Sequence, residues 1–242
     1  MELKDKVALV TGGSSGIGRA ITLALAREGC HVVFTYNSNE EGADEVLKQV
    51  GGNGTKFKVD MRNEESIKGL FDFTREKFRK LDILVNNAGI NRPRDLFDPG
   101  VWQEIFQVNL FAMVSCVGKA AELMGNGGKI LNISSIYGDA ATCQDDLPAY
   151  GASKAAVNHF TRMMAKNLAP KILVNAIAPG YVKTPLWKGT TEEDFEKSGR
   201  EQLIERMILP EEIAAMALAT IKNDAVTGEV MVVDGGLSLK RS

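Results

Sequence analysis

Short runs of apolar and β-branched residues recur along the chain, separated by segments with helical spacing. The runs are residues 6–12 (KVALVTG), 31–36 (HVVFTY), 55–61 (TKFKVDM), 81–89 (LDILVNNAG), 128–135 (GKILNISS), 171–180 (KILVNAIAPG) and 229–236 (EVMVVDGG). Runs this short and this apolar read as strands covered on both faces. Ile17, Ile21 and Leu25 mark a helical face that stops at Gly29. Residues 39–50 open with acids and residues 63–78 open on Asn63, a side chain suited to cap a helix. Alternating strands and helices are accommodated by a parallel sheet with right-handed crossovers and helices on both faces. No repeat, low-complexity tract or linker divides the 242 residues, so 1–242 reads as a single doubly wound α/β domain.

Charge and composition narrow the function. The formal net charge of −2 offers no basic excess for nucleic acid or an anionic membrane. No apolar stretch approaches the roughly 20 residues that span a bilayer. The opening residues carry charges before a short apolar run, with no small-residue cleavage site after it. Cys30, Cys116 and Cys143 are an odd, well-separated set, which makes no disulfide framework and fits a reducing, cytoplasmic setting. His31 and His159 lie far apart, without a cysteine or carboxylate at ligand spacing, so no metal is expected.

Residues 11–18, TGGSSGIG, join the first strand to the first helix. The spacing of Gly12, Gly16 and Gly18 is neither G-x-G-x-x-G nor a P-loop with its lysine. A tight turn alone would account for it, but its place in the first βα unit favours a phosphate cradle at a helix N-terminus. Tyr150 and Lys154 are four positions apart and share a helix face. An ammonium beside a phenol favours the phenolate, so Lys154 is expected to bring Tyr150 down from a pKa near 10. Such a pair is common on helix surfaces; here a strand ending in Ser134 and Ser135 precedes it.

TGGSSGIG, NNAG at 86–89, YGASK at 150–154 and PGYVKT at 179–184 together resemble the motifs of the short-chain dehydrogenase/reductase family, in order and over nearly the whole chain. The resemblance implies a seven-stranded parallel sheet of Rossmann type and a nicotinamide cofactor. It implies that Tyr150 passes a proton to or from a carbonyl oxygen, that Ser135 hydrogen-bonds that oxygen, and that Lys154 holds the nicotinamide ribose. Ser134 is the neighbouring candidate for the serine. Asn109, in QVNL, resembles the asparagine that kinks its helix and holds a relay water. The implied cofactor contacts are Gly12, Ser14, Ser15, Gly16, Ile17 and Gly18 in the turn; Tyr36, Asn37 and Ser38 after the second strand; Asp60 and Met61 after the third; Asn87, Ala88 and Gly89 after the fourth; Tyr150 and Lys154; and Pro179, Gly180, Val182 and Thr184 after the sixth.

No carboxylate stands at Tyr36, Asn37 or Ser38, where an acid would bind a ribose 2′-hydroxyl and repel a 2′-phosphate. NADP is therefore expected. NAD is the alternative, because Ser15 stands where many NADP-using relatives carry arginine, which leaves Arg19, Asn37 and Ser38 as phosphate contacts. Residues 186–209 are expected to form a substrate lid, with apolar Leu186, Trp187, Met207, Ile208 and Leu209, facing a loop at 136–149 that is longer than is common in the family. That loop carries Asp145 and Asp146, and residues 124–129 (MGNGGK) lack the arginines that an acidic carrier protein would want. The favoured reading is thus an oxidoreductase of a small ketone or secondary alcohol. The alternatives are a 3-oxoacyl-carrier-protein or -CoA reductase and, in another class, a cofactor-binding regulator or scaffold without catalysis; intact Ser135, Tyr150 and Lys154 speak against the last. Helical segments 101–124 and 155–169 are apolar on more than one face. The resemblance implies a homotetramer, which this pattern fits, with a dimer or burial under the chain's own lid as alternatives.

Overall fold

Alternation along each strand divides the apolar residues between two cores. A computed structural model describes residues 1–92, 96–139, 142, 146–187 and 189–239. Strands β1 (Val7–Val10), β2 (His31–Tyr36), β3 (Gly54–Lys58), β4 (Leu81–Asn86), β5 (Met124–Ile133), β6 (Ile172–Pro179) and β7 (Val230–Val233) form a seven-stranded sheet. Its order is β3-β2-β1-β4-β5-β6-β7, with every pairing parallel. Ala8 and Val10 belong to one core, with α1 (Gly16–Arg27), α2 (Glu40–Val50) and α8 (Pro210–Lys222). Val7 and Leu9 belong to the other, with α3 (Glu64–Phe78), α5 (Ala112–Leu123) and α6 (Pro148–Leu168). The remaining helices are α4 (Pro99–Phe106) and α7 (Glu192–Glu201).

Helix starts follow local chemistry. The Asn39 and Asn63 side chains accept from the backbone N–H of Gly42 and Ser66, each at 3.1 Å, and acids follow in the first turn. The expected single helix over 101–124 is α4 and α5 joined by a π-helical turn, Gln107–Phe111, which contains Asn109. Such turns mark places where a helix is widened for function. Strand β3 stops at Lys58, earlier than the apolar run at 55–61 predicts, so Asp60 and Met61 lie just beyond it. The chain steps outward from β1 through β2 to β3, then returns to β4 on the other side of β1. A doubly wound sheet opens a crevice at that reversal, outside the carboxyl ends of its strands. Among the described residues no helix is long and apolar enough to cross a membrane.

Candidate active site

The glycine turn sits at that crevice and is braced from both sides. Gly12 has φ +66°, a left-handed conformation that favours glycine, and its N–H donates to Thr35 Oγ1 at 3.0 Å. The Asn87 amide group donates to the carbonyls of Thr11 and Gly12, while Thr11 Oγ1 accepts from the N–H of Asn87 and of Ala88. A Cβ at Gly18 would overlap the Gly12 carbonyl oxygen and the Asn87 amide nitrogen. Ser15, the residue before α1, is extended and makes no side-chain cap, so the first N–H groups of α1 are left for a ligand. Thr184 lies against Gly16, 3.3 Å from where its Cβ would be, which brings the PGYVKT segment to the turn. Ser14 is buried and Ile17 packs on the first core. A backbone this close to a helix N-terminus fits a dinucleotide pyrophosphate.

Ser135, Tyr150 and Lys154 converge beside it. Ser135 follows the end of β5, accepts from the Tyr137 N–H at 3.2 Å and stands near enough to the Tyr150 phenol to oppose the rise in its pKa. Ser134, by contrast, is engaged in structure: its hydroxyl donates to Asn158 Oδ1 and the Lys154 carbonyl. Lys154 is 3% exposed; its ammonium donates to the Ile133 carbonyl at 2.8 Å and lies 5.5 Å from the centre of the Tyr150 ring. The expected depression of the Tyr150 pKa by Lys154 is not the dominant effect. Burial raises it, and the Ser135 hydroxyl opposes that rise. Burial also brings Lys154 down to about 8. Desolvation is the leading influence on both groups. Asn109 is fully buried: its Oδ1 accepts from the Ile90 N–H at 2.9 Å and its Nδ2 donates to the Ile90 carbonyl and Ser153 Oγ. Gly89 is exposed; a Cβ there would stand 3.3 Å from Asn109 Oδ1 and 3.7 Å from Lys154 Nζ.

The outer contacts are mixed. Tyr36 ends β2, but its hydroxyl donates to Glu40 Oε1 at 3.0 Å, and Lys56 pairs with Glu40 and Asp44 beside it. A carboxylate therefore does stand near the end of β2, beyond the positions where the sequence is read for one. Asn37 and Ser38 are exposed. A cavity of about 410 Å³ runs past Ser14, Ser15, Gly16 and Arg19, and carries Glu41, Glu45 and Glu211 against Arg19 and Lys183. Both Asp60 oxygens are engaged by Arg62, which holds the carboxyl below its usual range, and Met61 is buried. Asp60 caps no helix; Asn63 does. Pro179 ends β6, and the Gly180 N–H donates to the Val233 carbonyl.

The segment at 186–209 divides into α7 and a tightly held return. Gln202 is fully buried; its Oε1 accepts from the Tyr181 N–H at 3.2 Å, and its Nε2 donates to the carbonyls of Tyr181 and Arg206. Val182 pairs with Ile208 as an isolated bridge. An aromatic ladder, not anticipated from sequence, descends from this segment to Tyr150. Trp187 meets Phe195 and Tyr181, Tyr181 meets Tyr137 at 6.3 Å, and Tyr137 meets the Tyr150 ring edge-on at 6.4 Å. The only available signal was that Tyr137 and Tyr181 each stand shortly beyond a strand end, after Ile133 of β5 and Pro179 of β6. Asp145 and Cys143 lie outside the described residues.

Comparisons with known proteins agree with this geometry. A family model described as Enoyl-(Acyl carrier protein) reductase matches residues 12–238. A cis-4-hydroxycyclohexanecarboxylate dehydrogenase of Sinomonas cyclohexanicum is 37% identical, with 96% of each chain covered. A 3-oxoacyl-[acyl-carrier-protein] reductase of Aquifex aeolicus is 35% identical over 98% of this chain and 99% of that one. A Serratia marcescens short-chain dehydrogenase/reductase, solved as a double mutant, superposes with a TM-score of 0.91 at 31% identity, covering 98% of this chain and 100% of that one. From these matches, on a parallel seven-stranded sheet with a glycine turn at its switch point, the chain belongs to the short-chain dehydrogenase/reductase family of NAD(P)-dependent oxidoreductases.

Proposed function

We propose that the protein interconverts a neutral ketone and its secondary alcohol with NADP as the preferred nicotinamide, working as a cytoplasmic homotetramer. The observation that carries this reading is the meeting of Ser135, Tyr150 and Lys154 at the carboxyl end of β5, beside the glycine turn and Gly89. The turn at 12–18, Asn87 to Gly89, Lys154 and the segment from Pro179 to Thr184 would hold the nucleotide, and the bound nicotinamide supplies or accepts the hydride. Tyr150 Oη gives its proton to the carbonyl oxygen during reduction and takes it back during oxidation. Burial raises the phenol pKa, which keeps that proton in place at neutral pH and suits the reducing direction. Ser135 orients Oη, and Lys154 is fixed beneath the ring by the Ile133 carbonyl. Asn109 positions the backbone at Ile90, next to Gly89.

NADP is supported by the absence of an acidic side chain at Tyr36, Asn37 and Ser38 and by Arg19 on the first turn of α1. Glu40 on the Tyr36 hydroxyl, with Glu41 and Glu45 along the adjoining cavity, favours NAD as the second reading. Among substrates, an acyl thioester is the second reading, supported by relatives named as 3-oxoacyl reductases. Consumption of NADPH and of NADH, followed with neutral ketones and with 3-oxoacyl thioesters, separates these readings. Neutral ketones with NADPH should give the highest kcat/KM. A preference for the thioesters by about tenfold, roughly 1.4 kcal/mol in transition-state binding, would replace the ketone reading with the acyl one.

A further inference from the structure

Tyr150, Lys154 and Asn158 recur every four positions along α6 and share one face of the helix. The loop that carries Ser135 is seated on that face. The Asn132 amide donates to Thr161 Oγ1 at 3.0 Å, and the Ile133 carbonyl accepts from the Lys154 ammonium. The Ser134 hydroxyl donates to Asn158 Oδ1 and to the Lys154 carbonyl. The Asn158 amide in turn donates to the Gly138 carbonyl at 3.3 Å, at the far end of the helical turn Ile136–Gly138. Gly138 lies directly on the helix: a Cβ there would stand 2.6 Å from the Lys154 carbonyl carbon and 2.8 Å from the Ala155 nitrogen. A Cβ at Gly151 would stand 3.0 Å from the Tyr137 carbonyl oxygen. The residues on both sides of Ser135 are thus tied to α6, and one side chain, Asn158, holds both ends of the loop. An amide suits this place because it accepts at one end and donates at the other. Asparagine is a weak former of helix interiors, so its contribution here comes through these tertiary bonds.

We propose that Asn158 is a positioning residue for the reaction: by clamping Ser134 and Gly138 to α6 it fixes the loop between them, and so sets Ser135 relative to Tyr150. This rests on the reading of the same site as a carbonyl reductase that works through Tyr150. The loop transmits the clamp because it is braced within itself. The Tyr137 N–H donates to Ser135 Oγ at 3.2 Å, and the Gly138 N–H donates to the Ser135 carbonyl at 3.0 Å. Tyr150 and Asn158 belong to one helix, so a loop that shifts on Asn158 shifts Ser135 against Tyr150. The glycine turn is braced by other residues, Thr35 and Asn87. Loosening the clamp therefore disturbs the alignment of the reacting groups and spares the nucleotide.

The test is a cycle of variants: Asn158→Leu, Ser134→Ala, Ser135→Ala, and each of the first two combined with Ser135→Ala. Consumption of reduced nicotinamide is followed with whichever carbonyl substrate, ketone or thioester, the unmodified protein turns over fastest. Nucleotide affinity is measured alongside by fluorescence titration, and folding by thermal melting. Asn158→Leu keeps the size of the side chain and removes both ties. It should lower kcat about tenfold while the nucleotide dissociation constant stays within about twofold. Ser134→Ala removes one tie and should lower kcat by less. In the Ser135→Ala background, adding Asn158→Leu should lower kcat by no more than about twofold, because the group it positions is already gone. The cycle through Ser134→Ala gives the same readout where Asn158→Leu does not fold. Equal losses with and without Ser135 make the clamp a structural element and overturn the inference. So does an unchanged kcat in Asn158→Leu beside a Ser135→Ala variant that has lost turnover; both outcomes leave the reductase reading intact. Full turnover in Ser135→Ala, or none in an unmodified protein that binds nucleotide, counts against the reductase reading and the inference together.

Discussion

Lys154 shows what this site requires of the fold at the level of one residue. Its ammonium is buried beside a phenol that burial keeps neutral, with the Ile133 carbonyl as its hydrogen-bond partner. A folded-state pKa of about 8 against the ordinary 10.5 makes the charged form unfavourable by roughly 3 kcal/mol. The folded value lies below the unfolded one. The penalty is therefore complete below about pH 8, shrinks as pH rises, and is gone above 10.5. Lys154→Met should thus stabilise the protein at pH 7 by about 2 kcal/mol, after about 1 kcal/mol for the lost bond to Ile133, while abolishing turnover. Thermal unfolding of both proteins at pH 7 and at the ordinary lysine pKa of 10.5 checks this. The variant should melt higher at pH 7 and lose that lead at the alkaline pH; a lower melting point at pH 7 contradicts the balance. The residues of this site divide by how local their partners are. Tyr150, Lys154 and Ser135 were legible because helix spacing and a strand end place them. The bracing of the glycine turn by Asn87 and Thr11 was not, because those partners lie 76 positions apart and meet only across the sheet. The Tyr150 pKa was misjudged for a related reason: charge proximity is visible in a helical i,i+4 pair, whereas burial is a property of the folded surroundings.

At the scale of elements, strands and the first three helices follow from apolar runs and capping asparagines. Helix α8 carries no such mark. Its buried stripe of Ile213, Ala214, Ala217, Thr220 and Ile221 holds two alanines and a threonine, which weakens the hydrophobic contrast, and no element was assigned there from sequence. The π-helical turn was foreshadowed only through Asn109, since a one-residue insertion in a helix leaves no period of its own. The expectation that two helices need a second burial surface takes concrete form in their outward faces. Phe111 and Val114, at the π turn and on α5, are 53% and 43% exposed, and Met163 on α6 is 43% exposed. Exposed side chains of this size on adjoining helices suit a symmetric contact with a second copy. Light scattering behind size exclusion at micromolar concentration should give a mass near four times the 26.2 kDa chain. Phe111→Glu combined with Met163→Glu should shift the population to smaller species. A monomer in the unmodified protein contradicts the tetramer.

The molecule as a whole is a sheet whose two cores fix the strand ends, so that three separate loops meet over the switch point. The turn after β1 offers backbone N–H groups to phosphate. The loop after β5 and the start of α6 bring Ser135, Tyr150 and Lys154 together. The segment after β6 is clamped by Gln202 and carries the aromatic wall across to Tyr150. Fold and family were accessible early because alternation and glycine spacing are properties of the chain read in order. The meeting of Tyr137, Tyr181 and Trp187 was not, because no spacing records it. The central claim is that Tyr150 carries the proton while other residues hold the nucleotide. Its most direct test is Tyr150→Phe, assayed for ketone-dependent NADPH consumption with NADPH affinity measured alongside by fluorescence titration. Turnover should fall by about 10²–10⁴-fold with affinity nearly unchanged. Full turnover in the variant would contradict the account.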